Sequence, residues 1–201
     1  MSELYAIAID GLSHFRDLET LPADVKRYAR MAINKAAPRA RTAAAAEIMK
    51  QVAFPTGYLN PGEGRLVVSS PATDTNLETR VTARMRPTSL ARFTKGGVIG
   101  KTGVTVEVAP GFAKFMKRAF LIKLPAGSSD VETAYNMALA IRLKPGETIQ
   151  HKHRMVRMKG NLYLLYGPSV SQVFDTVRGD ITPDVADYLA QEFTRLMGLD
   201  I

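Results

Sequence analysis

The sequence contains no cysteine, no tryptophan and only three histidines. Without cysteine, the chain can form no disulfide and no thiolate zinc site, and it cannot use a cysteine nucleophile. No apolar run approaches the ~20 residues that a membrane-spanning helix needs, and the first residues lack the basic flank and apolar core of a secretory signal. We therefore expect a soluble protein that is made in the cytoplasm and does not enter a membrane.

The residues that are present are typical of a globular domain. The chain has 201 residues, of which 46% are hydrophobic and 23% are charged. A chain of this length can bury roughly 70% of the surface that it exposes when unfolded. Its hydrophobic and charged fractions are those of folded proteins. We predict a single domain over residues 1–201, with flexible loops around residues 94–103 and 125–135.

The net charge of +8 is unevenly distributed along the chain. Residues 26–123 hold eighteen bases and five acids, whereas residues 1–25 hold one base and five acids and residues 161–201 hold two bases and six acids. A basic middle between acidic ends has three interpretations. It indicates contact with a polyanion, packing of copies acidic face to basic face, or a basic surface that is merely solvated.

Helical patterns dominate the N-terminal quarter of the chain. A short helix is predicted over residues 13–20, and Pro22 suits the first turn of a longer, alanine-rich helix that runs to Val52. An internal proline removes a hydrogen bond and clashes with the preceding turn. We therefore expect a kink or break in the longer helix at Pro38.

The C-terminal region carries a second set of helical signals and the densest group of carboxylates. The pattern predicts a short helix over residues 169–177 and a separate one that begins at residues 182–184. Asp180, Asp184 and Asp187 lie close together in the sequence. Stabilisation of a helix start explains Asp184, and the metal-binding carboxylates of a nuclease are the alternative interpretation of the group.

Between the helical ends the hydrophobic period changes to two, which indicates strands. The clearest alternation covers residues 104–108 and ends at Pro110. Further strands are predicted at residues 4–9, 66–68, 77–83, 120–122, 138–141 and 162–166. Together these patterns predict an α+β fold, with N-terminal helices and a C-terminal helix packed on a mostly antiparallel β-sheet.

Residues 96–103 (GGVIGKTG) are similar to a phosphate-binding loop but depart from its pattern. That loop needs a glycine where Lys95 stands, and it ends at a helix whose N-terminus binds phosphate. Here an alternating strand pattern follows instead. We therefore expect a loop or hairpin tip in this segment, and no nucleotide site.

The histidines do not form a convincing reactive or metal site. His151 and His153 would share one face of a strand, but the neighbouring Lys152 and Arg154 repel cations, so an exposed basic loop is the preferred interpretation. No Ser-His-acid arrangement stands out. We expect no enzyme activity, no cofactor and no bound metal.

The basic middle of the chain supplies the candidate functional residues. Arginine beside an aromatic residue suits nucleic acid, but no RNP, helix-turn-helix or zinc-finger signature is found. Sequence-specific recognition is therefore not expected, while non-specific contact with phosphates stays open. The basic residues expected to face DNA or neighbouring subunits are Arg39, Arg41, Arg84, Arg86, Arg92, Lys95 and Lys101.

Several segments, taken in order, carry a resemblance to a known family. Residues 31–37 (MAINKAA), with the alanine- and arginine-rich helix that follows to Val52, resemble the early helix of the minor tail protein Z, or tail completion, family of tailed bacteriophages. Residues 86–93 (RPTSLARF), 117–122 (KRAFLI) and 161–170 (NLYLLYGPSV) resemble later segments of that family. The order of these segments matches over nearly the whole chain, whereas the acidic C-terminal helix departs from more basic relatives.

This resemblance implies a structural virion protein at the head-proximal end of a long non-contractile tail. Family members are expected to form rings, here expected to be hexameric, and to meet tail terminator and head-closure or neck proteins. They help prepare the tail for joining the head and for the passage of DNA. The family brings no catalytic or cofactor residues.

Two other functions stay open at the level of sequence. A free, non-specific DNA-binding protein would explain the net charge of +13 over residues 26–123, and it would show salt-dependent affinity. A hydrolase or nuclease would use Asp180 and Asp184.

Overall fold

The computed structural model describes residues 7–8, 22–125, 136–147 and 155–198. Its two long helices are α1 (Ala23–Gln51) and α2 (Val170–Leu196). Neither of these described helices is apolar enough along its length to cross a bilayer. The strands of the described residues are β1 (Ile7–Ala8), β2 (Leu66–Ser70), β3 (Arg80–Ala83), β4 (Thr94–Lys95), β5 (Thr102–Ala109), β6 (Phe112–Lys123), β7 (Met137–Arg142), β8 (Met155–Arg157) and β9 (Leu162–Leu165).

Within the described parts of the chain the strands form two sheets. The smaller sheet has the order β1-β3-β2, and the larger has the order β4-β5-β6-β7-β9-β8. Every pair of neighbouring strands runs antiparallel. The predicted α+β class, with helices towards both ends and a mostly antiparallel sheet, is confirmed.

The chain divides into two compact units, each built from separate segments. Unit 1 comprises Met1–Ile48, Leu59–Met85 and Val170–Ile201, and unit 2 comprises Met49–Tyr58 and Arg86–Ser169. Unit 1 therefore holds nearly all of α1, the smaller sheet and α2, while unit 2 holds the larger sheet. That residues 1–201 behave as a single domain stays a prediction.

Helix α1 packs in unit 1 through an unusually small apolar face. Alanine is the strongest helix former, and its small side chain lets neighbouring backbone approach closely. The Asn34 amide lies beside this face, donating to the Ala72 carbonyl at 3.0 Å and accepting from the Ala72 N–H at 2.8 Å. This pair of bonds joins α1 to the segment between β2 and β3. The alanines that recur every fourth residue and are buried are Ala32, Ala36, Ala40 and Ala44.

The prolines do not end either helix. Pro38 lies inside α1 and Pro183 lies inside α2. A break at Pro38 and the two separate C-terminal helices are therefore wrong, since each helix is continuous. A kink at Pro38 stays a prediction. An internal proline costs about 3 kcal/mol, but tertiary packing supplies most helix stability. In α2 one buried row continues on both sides of the proline, through Val177, Ile181, Val185 and Leu189.

Unit 2 is organised around its central strands. A core cluster joins β7 and β9 with the residue that follows β6, and its members are Leu124, Ala138, Ala140 and Leu164. Beyond the sheet, Phe54 stacks on Tyr58 with ring centroids 4.9 Å apart and meets Phe93 at 5.5 Å. The predicted strand at residues 104–108 is confirmed within β5.

Other predictions differ from the structure or fall outside it. Strand β6 begins at Phe112, well before the predicted start at residue 120, and β3 begins at Arg80 rather than at residue 77. The short helix at residues 13–20 and most of the loop around residues 125–135 lie outside the described residues.

Candidate functional site

Three of the basic residues predicted to face DNA or subunits lie in unit 1, where they contact the chain itself. The Arg39 guanidinium stacks over the Tyr188 ring at 4.3 Å from its centroid. Arg41 Nε donates to the Leu66 carbonyl at 3.0 Å, and burial lowers the pKa of Arg41. The half-buried Arg84 pairs through its backbone, accepting from the Ser171 N–H at 3.0 Å.

The other four predicted residues lie in unit 2. The Arg92 guanidinium lies 5.1 Å from the centroid of the Tyr58 ring, and Lys95 forms an ion pair with Glu107. Arg86 and Lys101 are exposed. The seven residues are thus split between the two units, and neither unit gathers them all into one patch.

The glycine-rich segment at residues 96–103 connects two paired strands. Strand β4 precedes it, and β5 follows it and pairs antiparallel with β4. The expectation that a strand follows is confirmed. A side chain at Gly97 would lie 3.2 Å from Leu121 Cδ1, so the backbone of this segment packs closely on the sheet.

The most exposed apolar feature of the described residues is the end of the hairpin formed by β5 and β6. We call residues 105–117 the arm. Its turn passes through Gly111 at φ 81°, a conformation that glycine adopts without strain. The Gly111 N–H donates to the Glu107 carboxylate at 2.9 Å. The pKa of Glu107 is lowered, mainly by its bond with Lys95 and next by this bond from Gly111. The turn is therefore held in place.

Two phenylalanines on the arm are largely exposed to solvent. Phe112 is 78% exposed and Phe115 is 64% exposed. The Phe115 ring lies over Gly103, where an added Cβ would come within 3.0 Å of Phe115 Cζ. Gly103 has φ 94°, a conformation that favours glycine. Its missing side chain leaves the space that the Phe115 ring occupies. Large exposed apolar groups of this kind are typical of interaction surfaces.

The strand that carries these aromatics is strongly basic. From residue 108 to residue 123 the sequence has four bases and no acid. Arg118 is used within unit 2, because its guanidinium binds the Glu147 carboxylate through two bonds of 2.5 and 2.9 Å. These bonds, with one from the Lys144 N–H, lower the pKa of Glu147 to about 2. Lys114 and Lys117 are exposed beside the aromatics.

Helix α2 carries an exposed group of opposite charge. Asp180, Asp184 and Asp187 are all exposed, and their spacing of four and three residues places them on one helix face. We call them the acidic row. The sequence interpretation that Asp184 stabilises a helix start is wrong, because α2 begins at Val170. The described residues contain no group of three or more histidine and carboxylate side chains that could hold a metal ion.

Glu192 is a buried carboxylate that sequence reasoning did not single out. It is 6% exposed and lies on α2. Arg195 donates to it at 2.5 and 3.2 Å, and Lys35 of α1 donates at 2.7 Å. These bonds, those from Arg195 foremost, lower the pKa of Glu192 to about 2. The carboxylate therefore connects the two helices of unit 1.

The depressed pKa of Glu192 predicts a pH-dependent stability. Because the pKa is lower in the folded than in the unfolded protein, the contribution of Glu192 is complete above pH 4.5 and is lost as the pH falls towards 2. Urea unfolding at pH 7, 4.5 and 3 should show a steeper loss for the native chain than for Glu192→Gln. The exposed Asp184→Asn on the same helix is the control and should follow the native profile. Parallel profiles for the native chain and Glu192→Gln would contradict the assignment.

The features that sequence reasoning missed had weak or no local signals. Phe112, Phe115 and Lys114 lie just beyond the predicted stop at Pro110, and the mixed sequence there lacks the alternation of a half-buried strand. Glu192 resembles any other charged helical residue until its partner from α1 is placed beside it. His151 and His153 lie outside the described residues.

Comparison of the chain with family models, with curated proteins and with solved structures finds no match. The resemblance to minor tail protein Z therefore stays a prediction. The exposed arm, the acidic row and the distribution of charge are the features of the chain that bear on its function.

Proposed function

We propose that this chain is a structural subunit that works by assembling with copies of itself, as a tail completion or neck protein of a long-tailed phage. It would form a ring at the head-proximal end of the tail, beside tail terminator and head-closure proteins, and so take part in head–tail joining and DNA passage. The observation that carries the proposal is the exposure of Phe112 and Phe115 at the end of a rigid hairpin. Aromatic residues dominate the energy of protein interfaces.

The charge distribution provides the two unlike surfaces that a ring requires. Each copy carries an arm with the exposed lysines Lys114 and Lys117 and, on a different element, an acidic row. When such surfaces meet head to tail the contacts are heterologous, and they close into a ring if the rotation between copies permits. The order of family-like segments in the sequence points the same way.

Non-specific DNA binding is the second candidate, and it is favoured by the exposed Lys114 and Lys117. Four of the seven predicted basic residues, however, bind groups of the chain itself through their side chains. Arg39 contacts Tyr188, Arg41 contacts Leu66, Arg92 contacts Tyr58 and Lys95 contacts Glu107. Their side chains are therefore less available to phosphates than the composition indicates.

Two measurements test the proposed function. Light scattering and negative-stain electron microscopy of the full chain, alone and with its tail partner, should reveal closed rings, expected to contain six copies. A chain that never forms a cyclic assembly in either sample would remove the proposal. Affinity for duplex DNA, measured from 50 to 200 mM salt, separates the second candidate, because phosphate contacts give an affinity that falls steeply with salt.

A further inference from the structure

We infer that the arm of one copy docks on the acidic row of α2 in the next copy. The inference rests on the proposed function, since it assigns the two surfaces through which copies would assemble. It concerns a contact between separate molecules, and its occupant is a second copy of this chain.

The arm provides the apolar side chains of the contact. Phe112 and Phe115 lie at and near the turn, where the hairpin leaves them 78% and 64% exposed. Their backbone is fixed by strand pairing, with Thr105 opposite Phe115 and Ala109 opposite Phe112. A preordered strand pair loses little conformational entropy on binding, which makes the arm suited to insertion against a partner.

The arm and the acidic row carry exposed charges of opposite sign. Lys114 and Lys117 are exposed on the basic strand of the arm, and Asp180, Asp184 and Asp187 are exposed along one face of α2. Opposite charges on two interacting surfaces steer encounter and fix register. The arm and the acidic row are complementary in every pair of copies.

The shape of α2 beside the acidic row also suits an aromatic side chain. Gly179, Pro183, Ala186 and Ala190 are exposed and follow a spacing of four, three and four residues, so they form a second row next to the acids. A side chain added at Gly179 would meet no atom within 4 Å. Side chains alternate along a strand, so one face of the arm carries Phe112 with Lys114 and the other carries Phe115 with Lys117. The small row leaves room for the ring of the docked face while the lysine of that face reaches the aspartates.

DNA is the competing occupant of the arm. A second copy is favoured because the two most exposed large apolar side chains lie on the arm, and a protein surface buries such rings. Each copy also carries one acidic row, so an assembly contains as many acidic rows as arms. Loss of DNA affinity without loss of assembly in arm variants is the outcome that would assign the arm to nucleic acid and overturn the inference.

Charge reversal with rescue tests the docking directly. The double variant Lys114→Glu, Lys117→Glu should require at least about tenfold more protein for assembly than the native chain. The double variant Asp180→Lys, Asp184→Lys should show a similar loss, and the four substitutions together should restore assembly. The matched control, Lys123→Glu with Lys159→Glu, makes the same change in net charge at exposed sites outside the arm and should assemble normally.

Cysteine cross-linking gives an independent readout, because the native chain contains no cysteine. A chain with Ala113→Cys is mixed with a chain with Asp184→Cys and oxidised. The mixture should give more disulfide-linked dimer than either variant alone or than a mixture of Ala113→Cys with Lys159→Cys. Equal yields in all mixtures would overturn the inference even where a charge-reversal variant folds poorly.

The outcomes separate this inference from the proposed function. Rings that persist in the arm variants, with no preferential cross-link, overturn the docking surface and leave the proposed function standing. A native chain that never assembles overturns both.

Discussion

Replacement of Phe174 by alanine should lower the free energy of unfolding by about 3–5 kcal/mol. Phe174 lies on α2, is 1% exposed and heads the largest fully buried side chains of the described residues. Its removal leaves a cavity in unit 1 that the surrounding side chains fill only in part. The midpoint of thermal unfolding should fall by about 6–20 °C, at about 2–4 °C per kcal/mol for a chain of this length.

The same substitution on the arm is a matched control. Phe112→Ala removes an identical side chain at a site that is 78% exposed, and surface substitutions usually change stability by no more than about 0.5 kcal/mol. Urea unfolding of both variants measures the difference. Similar losses in the two variants would mean that the arm is buried in solution or that Phe174 is not a core residue.

Replacement of Asn34 by alanine should cost about 2–4 kcal/mol, because two buried backbone groups lose their partners. The Asn34 side chain pairs with both the N–H and the carbonyl of Ala72, a residue that is 4% exposed. Alanine favours the helix by a few tenths of a kcal/mol, which offsets only a small part of this loss. Chemical unfolding followed by circular dichroism gives the value.

Two variants sharpen the interpretation of Asn34. Asn34→Asp keeps the acceptor for the Ala72 N–H but places a carboxylate oxygen against the Ala72 carbonyl in place of the donor, so it should also destabilise the protein. Thr42→Ala, at an exposed position of α1 whose hydroxyl bonds only to the Pro38 carbonyl of the same helix, should be close to neutral. Native stability in Asn34→Asp would show that the bond from Asn34 to the Ala72 carbonyl contributes nothing.

Local patterns were enough to predict the strands that are marked by alternation or by a continuous apolar run. The alternation at residues 104–108 identified β5, and the apolar runs at residues 138–141 and 162–166 identified β7 and β9. Strand β6 was predicted only in its second half. Its first residues are exposed on the arm, so no core selects for alternating polarity there.

The helices show where local rules fail. Pro38 and Pro183 each carry a local penalty, yet the buried faces on both sides keep α1 and α2 continuous. The partners of Asn34 and Lys35 are 38 and 157 residues away, a distance at which sequence patterns give no information. The basic residues were predicted by type, but their aromatic and carboxylate partners emerged only with the fold.

The bond between Lys35 and Glu192 also bears on how the chain is made. Helix α1 leaves the ribosome early, and Glu192 is added 157 residues later. At about 5–20 residues per second this interval is roughly 8–30 s. Throughout it Lys35 lacks its carboxylate partner, so the bond that joins the two helices of unit 1 forms only when synthesis of the chain is nearly finished.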